Sequence, residues 1–123
     1  MITVTKEEAR RLVLEGGNVL VTWTTEGCPN CVYFKELMEE LEKELESWTM
    51  LEVAVPFPAE DLVFEPSMYP TNFIFKDGVR KAVAIGIAPK EGVMDTLVRV
   101  GDGTFKSAEE LEMEQLNALD EQK

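Results

Sequence analysis

Apolar residues follow two rhythms along this chain, and the rhythm changes across one short turn. Asn18–Thr24 is a run of apolar and β-branched residues, the pattern of a buried strand centred on Val19–Thr24. After Thr25–Cys31, apolar residues return at Phe34, Leu37, Met38, Leu41 and Leu45, spaced by three and four, which predicts a helix from about Asn30 to Leu45. Its other face carries Glu39, Glu40, Glu42, Lys43, Glu44 and Glu46, a solvated surface. Upstream, Thr5 with Glu8 forms a capping box, Ala9, Leu12 and Val13 supply a stripe, and Gly16–Gly17 stop the helix. Ile2–Val4 is long enough only for a short edge strand.

Downstream, Thr49–Val55 reads as a second buried strand, ended by Pro56 and Pro58, which cannot sit in a central ladder. Pro56–Met68 reads as a loop with one helical turn around Ala59–Val63. Asn72–Lys76 is a third strand, Asp77–Gly78 a two-residue hairpin turn, and Val79–Ile85 the antiparallel return, ended or bulged by Gly86. Lys90–Val100 closes the unit as a helix through Val93, Met94, Leu97 and Val98. Gly101–Gly103 interrupts, and a second capping box at Ser107–Glu110 opens a helix bearing Leu111, Leu116 and Leu119. The expected architecture is α/β: a central mixed four-stranded sheet flanked by helices over residues 1–100. Residues 101–123 form a helical extension packed on the same domain.

Composition narrows the function. Asp and Glu outnumber Lys and Arg by 24 to 12, a formal charge of −12, which argues against nucleic acid or an anionic membrane as partner. No apolar run approaches the roughly 18 residues of a membrane helix. The start, Met1–Glu8, lacks a secretory leader's basic and apolar regions, so a cytoplasmic location is expected, as a monomer. The only two cysteines, Cys28 and Cys31, would close a very small loop, and such a bridge restrains little of the unfolded chain. In a cytosolic setting the pair suits chemistry better than stapling. Histidine is absent, and two thiolates alone leave two of a zinc ion's four positions empty, so no metal is expected.

Strand, Cys28–Pro29–Asn30–Cys31, helix, then Tyr69–Pro70 before a later strand and Phe75–Gly78 opening a hairpin that runs to Gly86: in this order the chain resembles the thioredoxin-like family. The resemblance covers roughly Thr5–Val100 and implies the thioredoxin-like fold. Two departures stand out. The family's usual Trp-Cys-Gly-Pro-Cys is here Gly27–Cys31, and a proline directly after the first cysteine leans toward glutaredoxins. Six residues before the first cysteine, where thioredoxins carry a buried aspartate that helps move protons, this chain has Thr22.

Site roles follow from this resemblance and from the physical chemistry of each residue. Cys28 is the candidate nucleophile, because only the thiolate attacks a disulfide and a helix N-terminus favours that anion. Cys31, one turn on, would be more buried and would resolve the mixed disulfide. Pro29 suits the first helical turn, where its missing N–H is not needed, and uncharged Asn30 tunes the pair. Glu26 opposes ionisation modestly. Tyr69–Pro70 is the candidate cis-proline loop, offering backbone groups to an extended substrate, and Gly86 would let a substrate backbone approach. Glu52, if it faces Thr22 and Cys31, would replace the missing acid as a proton relay, while Trp23 and Trp48 are core residues.

The resemblance therefore implies a dithiol–disulfide oxidoreductase that reduces protein disulfides through Cys28 and Cys31, serving electron transport and redox homeostasis. It would be recharged by a reductase or glutathione and need no bound cofactor. Two alternatives remain open: a glutaredoxin-like protein, glutathione-dependent or bridging an iron–sulfur cluster through Cys28, and a redox-inactive binding module that uses the C-terminal helix.

Overall fold

The computed structural model describes residues 1–55, 68–86 and 88–121, with side chains as far as 118 in the last stretch. Among these, strands β1 (Ile2–Thr3), β2 (Asn18–Thr25), β3 (Trp48–Val55), β4 (Thr71–Lys76) and β5 (Val79–Ile85) form one sheet in the order β1-β3-β2-β4-β5. Helices α1 (Lys6–Leu14), α2 (Pro29–Glu44), α3 (Lys90–Asp102) and α4 (Ala108–Glu121) complete the chain. The sheet has five strands rather than the expected four, because Ile2–Thr3 pairs parallel to Leu51–Glu52 at the edge. The expected loop with a turn at Ala59–Val63 lies outside the described residues, Met68 excepted.

β2 sits at the centre, parallel to β3 and antiparallel to β4, and is buried along nearly its whole length. Buried on both faces, it shows a continuous apolar run instead of alternation. Period-two geometry then sends its side chains to two cores. Leu20 joins Met50 and Ile74 beneath Phe34, Met38 and Leu41 of α2 and Leu97 and Val100 of α3. Val19, Val21 and Trp23 join Leu51 and Val53 beneath Ala9 and Val13 of α1. Both tryptophans are buried, Trp48 in the first core and Trp23 in the second.

Local signals account for the ends of the elements. The Glu8 amide donates to Thr5 Oγ1 at 3.1 Å and the Glu110 amide to Ser107 Oγ at 3.2 Å, so Thr5 and Ser107 both cap as read. Asp77 and Gly78 have φ of 50° and 82°, both left-handed, as a two-residue hairpin whose twist matches its strands requires. The register shift in this hairpin falls at Ile74/Phe75 rather than at Gly86, which simply ends β5. α4 is helical, and its described side chains, Leu111, Met113 and Leu116 included, are exposed. Its connection to the domain runs through half-buried Phe105, which packs on the α2–α3 core, and an ion pair joins Lys106 to Glu114.

Candidate active site

α2 begins on a cysteine. Cys28 is extended (φ −103°, ψ 101°) and is the N-cap, and its sulfur accepts from the Cys31 amide at 3.1 Å. A side-chain acceptor there satisfies one of the four amides that a helix start leaves unpaired. Pro29 occupies the first turn, where its missing N–H forfeits nothing, and no acidic residue lies in that turn. The same amide and the positive end of the helix dipole therefore meet the Cys28 sulfur when it carries charge.

Cys28 and Cys31 are joined in a disulfide with Cα atoms 5.3 Å apart, inside the ordinary range for such a bridge. Their exposure differs: Cys28 is half-buried, whereas Cys31 is 3% exposed. Asn30 is exposed beside them. A cleft of about 480 Å3 opens over the pair, lined by Thr24, Cys28, Cys31, Val32, Lys35 and Glu52 among others. Tyr69, Pro70 and Gly86 do not line that cleft, but stand at the same end of the sheet. Thr71 pairs with Trp23 near the end of β2, and the Gly86 amide donates to the Pro70 carbonyl at 2.8 Å. The Tyr69–Pro70 peptide bond is cis.

Among the described residues, Glu52 is the one buried acid of the site, 5% exposed. Its backbone pairs in register with Thr22, yet its carboxylate bonds elsewhere. Oε1 accepts from Thr3 Oγ1 at 2.8 Å and lies 3.2 Å from Lys35 Nζ, and Oε2 accepts from Thr24 Oγ1 at 2.9 Å. Burial pushes this carboxyl up, but the hydrogen bonds from Thr3, Thr24 and Lys35, with the charge of Lys35, outweigh it and hold the group below its ordinary value. Thr22 instead donates to Asn72 Oδ1 at 2.7 Å. Sequence reasoning did not find Thr3, Thr24 or Lys35. Only Lys35 left a trace, four residues after Cys31 and so on the same side of the helix.

No protein-family model matches the sequence. The thioredoxin of Chlamydia trachomatis is 30% identical over 97 residues, covering 76% of this chain and 93% of that protein. This chain belongs to the thioredoxin family. Thioredoxin of Chlamydia caviae is likewise 30% identical, over 103 residues, 81% of this chain and 95% of its own length. Among solved structures, Plasmodium falciparum thioredoxin superposes with a TM-score of 0.68 at 18% identity, over 80% of this chain and 98% of its own. Mitochondrial thioredoxin 3 of Saccharomyces cerevisiae, in its oxidised form, gives 0.67 at 17%, over 80% and 93%. These structures share the thioredoxin fold. With its Cys28–Cys31 disulfide at the head of α2, the chain is a thiol–disulfide oxidoreductase. Among the described residues, no helix is long and apolar enough to cross a membrane.

Proposed function

We propose that this thioredoxin works as a reductant of protein disulfides, with Cys28 as nucleophile and Cys31 as resolving thiol. The observation that carries the reading is the asymmetry of the pair: Cys28 caps α2 and is half-buried, while Cys31, which lines the same cleft, is 3% exposed. In the reduced protein the Cys28 thiolate attacks one sulfur of a substrate disulfide. A Cys28–substrate disulfide forms, and the first substrate thiolate leaves and takes a proton. Cys31 then gives its proton to the Glu52 carboxylate, directly or through water, and its sulfur attacks Cys28. The Cys28–Cys31 bond forms, the second substrate thiolate leaves, and two electrons have passed to the substrate. A reductase or glutathione returns them, so no bound cofactor is needed.

Pro29 and Asn30 tune the pair, Tyr69 and Pro70 present backbone to an extended substrate, and Gly86 leaves room beside them. The proline loop and the end of β5 lie at the cysteine end of the sheet, which supports this assignment. The working unit is residues 1–100 with 101–123 as its extension, acting as a cytoplasmic monomer. The test is a pair of variants against a model protein disulfide. Cys31→Ser should accumulate a mixed disulfide through Cys28, visible by mass, and Cys28→Ser should trap nothing and reduce nothing. Equal trapping by both variants would refute the division of roles.

A further inference from the structure

We propose that Lys35 is a positioning residue for disulfide exchange: together with Thr3 it holds Glu52 as an ionised proton acceptor facing the cysteine cleft. This rests on the assignment of Glu52 as acceptor for the Cys31 proton. A carboxylate offers about four acceptor sites, and three are filled, by Thr3 and Lys35 on Oε1 and by Thr24 on Oε2. Counting donors among the described residues, one site on Oε2 is left for a proton or a bridging water.

The donors come from three different elements. Thr24 lies on β2, Thr3 on the two-residue edge strand β1, and Lys35 on the helix that carries both cysteines. Thr3 and Thr24 are neutral and cannot balance the charge of a carboxylate that is 5% exposed. Among the described residues Lys35 is the one cation that partners Glu52, and its side chain is 42% exposed, so its ammonium stays hydrated while it reaches inward. Among the described residues, the other ionisable groups that line the cleft are Cys28, Cys31 and the exposed Glu26, none of them positive. Removing Lys35 thus leaves Glu52, among the described residues, with two hydroxyl donors and no counter-charge.

An acceptor functions only while it is ionised, so the acidic limb of the resolving step follows the ionisation of Glu52. Loss of an adjacent opposite charge raises a carboxyl pKa by one to three units when the pair is close. With Lys35 partly in water, the expectation for Lys35→Met is an acidic limb displaced upward by about one pH unit. Lys35→Arg should return it close to the native position, and Thr3→Val should move it the same way by less.

The experiment follows the pH dependence of protein-disulfide reduction by the full chain, between about pH 4 and 8, for the native protein and Lys35→Met, Lys35→Arg, Thr3→Val and Glu52→Gln. Carboxyl 13C NMR titration of Glu52 in the oxidised protein, assigned by its disappearance in Glu52→Gln, gives a readout independent of turnover. The proposal holds if Lys35→Met displaces both the limb and the Glu52 titration upward and Lys35→Arg restores them. A Glu52 titration or an acidic limb that persists unchanged in Lys35→Met overturns it. Failure of the native protein to reduce any disulfide would instead refute the reductant assignment itself.

Discussion

The Thr22–Asn72 pair gives the sharpest test of what the centre of this sheet is built to do. Thr22 is 0% and Asn72 1% exposed, the hydroxyl donates to Asn72 Oδ1 at 2.7 Å, and Asn72 Nδ2 has no partner among the described residues. Thr22→Val conserves shape but leaves Asn72 with nothing, and an unsatisfied buried polar group costs about 1–3 kcal/mol. Asn72→Val strands the Thr22 hydroxyl at a similar cost, but it also removes the orphaned Nδ2, so the two effects roughly cancel. The double variant removes every polar atom of the pair from a site lined by Leu20 and Ile74 on the same sheet face. It should be at least as stable as the native protein, because replacing both partners by apolar groups of similar shape is close to neutral or stabilising.

The expected coupling is therefore about 1–3 kcal/mol, read from a double-mutant cycle in urea on the oxidised protein. With a slope of roughly 1–3 kcal/mol per molar urea, Thr22→Val should lower the midpoint by about 1 M and the second substitution should restore it. Additivity of the two single changes within about 0.5 kcal/mol would refute the reasoning. Disulfide reduction should be nearly unchanged in all three variants, since this pair is neutral and carries no transferable charge. A loss of turnover in Thr22→Val as deep as in Glu52→Gln would move the proton route from β3 to β2.

Two further outcomes are expected. Glu52 is held below its ordinary value of 4.5, so its ionised form stabilises the fold above that pH, and the contribution disappears as pH falls through the folded value. Stability measured by urea midpoints should accordingly decline less steeply on acidification below pH 5 in Glu52→Gln than in the native protein, and equal slopes would contradict this. Deleting residues 107–123 should change unfolding stability by less than about 1 kcal/mol, because the described α4 side chains are exposed and Phe105 is retained. A larger loss would mean that the extension is bound into the domain.

The parts of the site that lie close in sequence were legible, and those joined by sheet register were not. Cys28, Pro29 and Cys31 stand at a strand-to-helix junction that apolar spacing alone marks out, and the two capping boxes and Asp77–Gly78 announce their own geometry. Thr3 and Glu52 are 49 residues apart and Thr24 and Glu52 28 apart, and only the parallel pairing of β1 and β2 to β3 brings them together. That pairing depends on crossovers whose register is set by packing of whole faces, which no local pattern encodes. The same limit applies to α4: its apolar positions predict a helix, but whether a face is covered depends on what the rest of the fold presents to it.

On the proposed assignment of Glu52, the place of the acid follows from how neighbouring strands share a face. Thr22 and Glu52 are register partners on the parallel pair β2–β3, so moving a carboxylate from position 22 to β3 is a step of one strand. That move changes which elements can support the charge. From β3 the carboxylate can meet β1, through Thr3, on one side and β2, through Thr24, on the other, and among the described residues only α2 above supplies a cation. An acid on β3 beneath this helix therefore calls for a lysine one turn beyond the resolving cysteine, and position 35 is where the chain carries it. Thr22, relieved of charge, is free to spend its hydroxyl on Asn72. On the proposed assignment of Glu52, the threonine where an acid was expected and the buried glutamate on the next strand belong to one arrangement, in which Lys35 is the counter-charge of the acid.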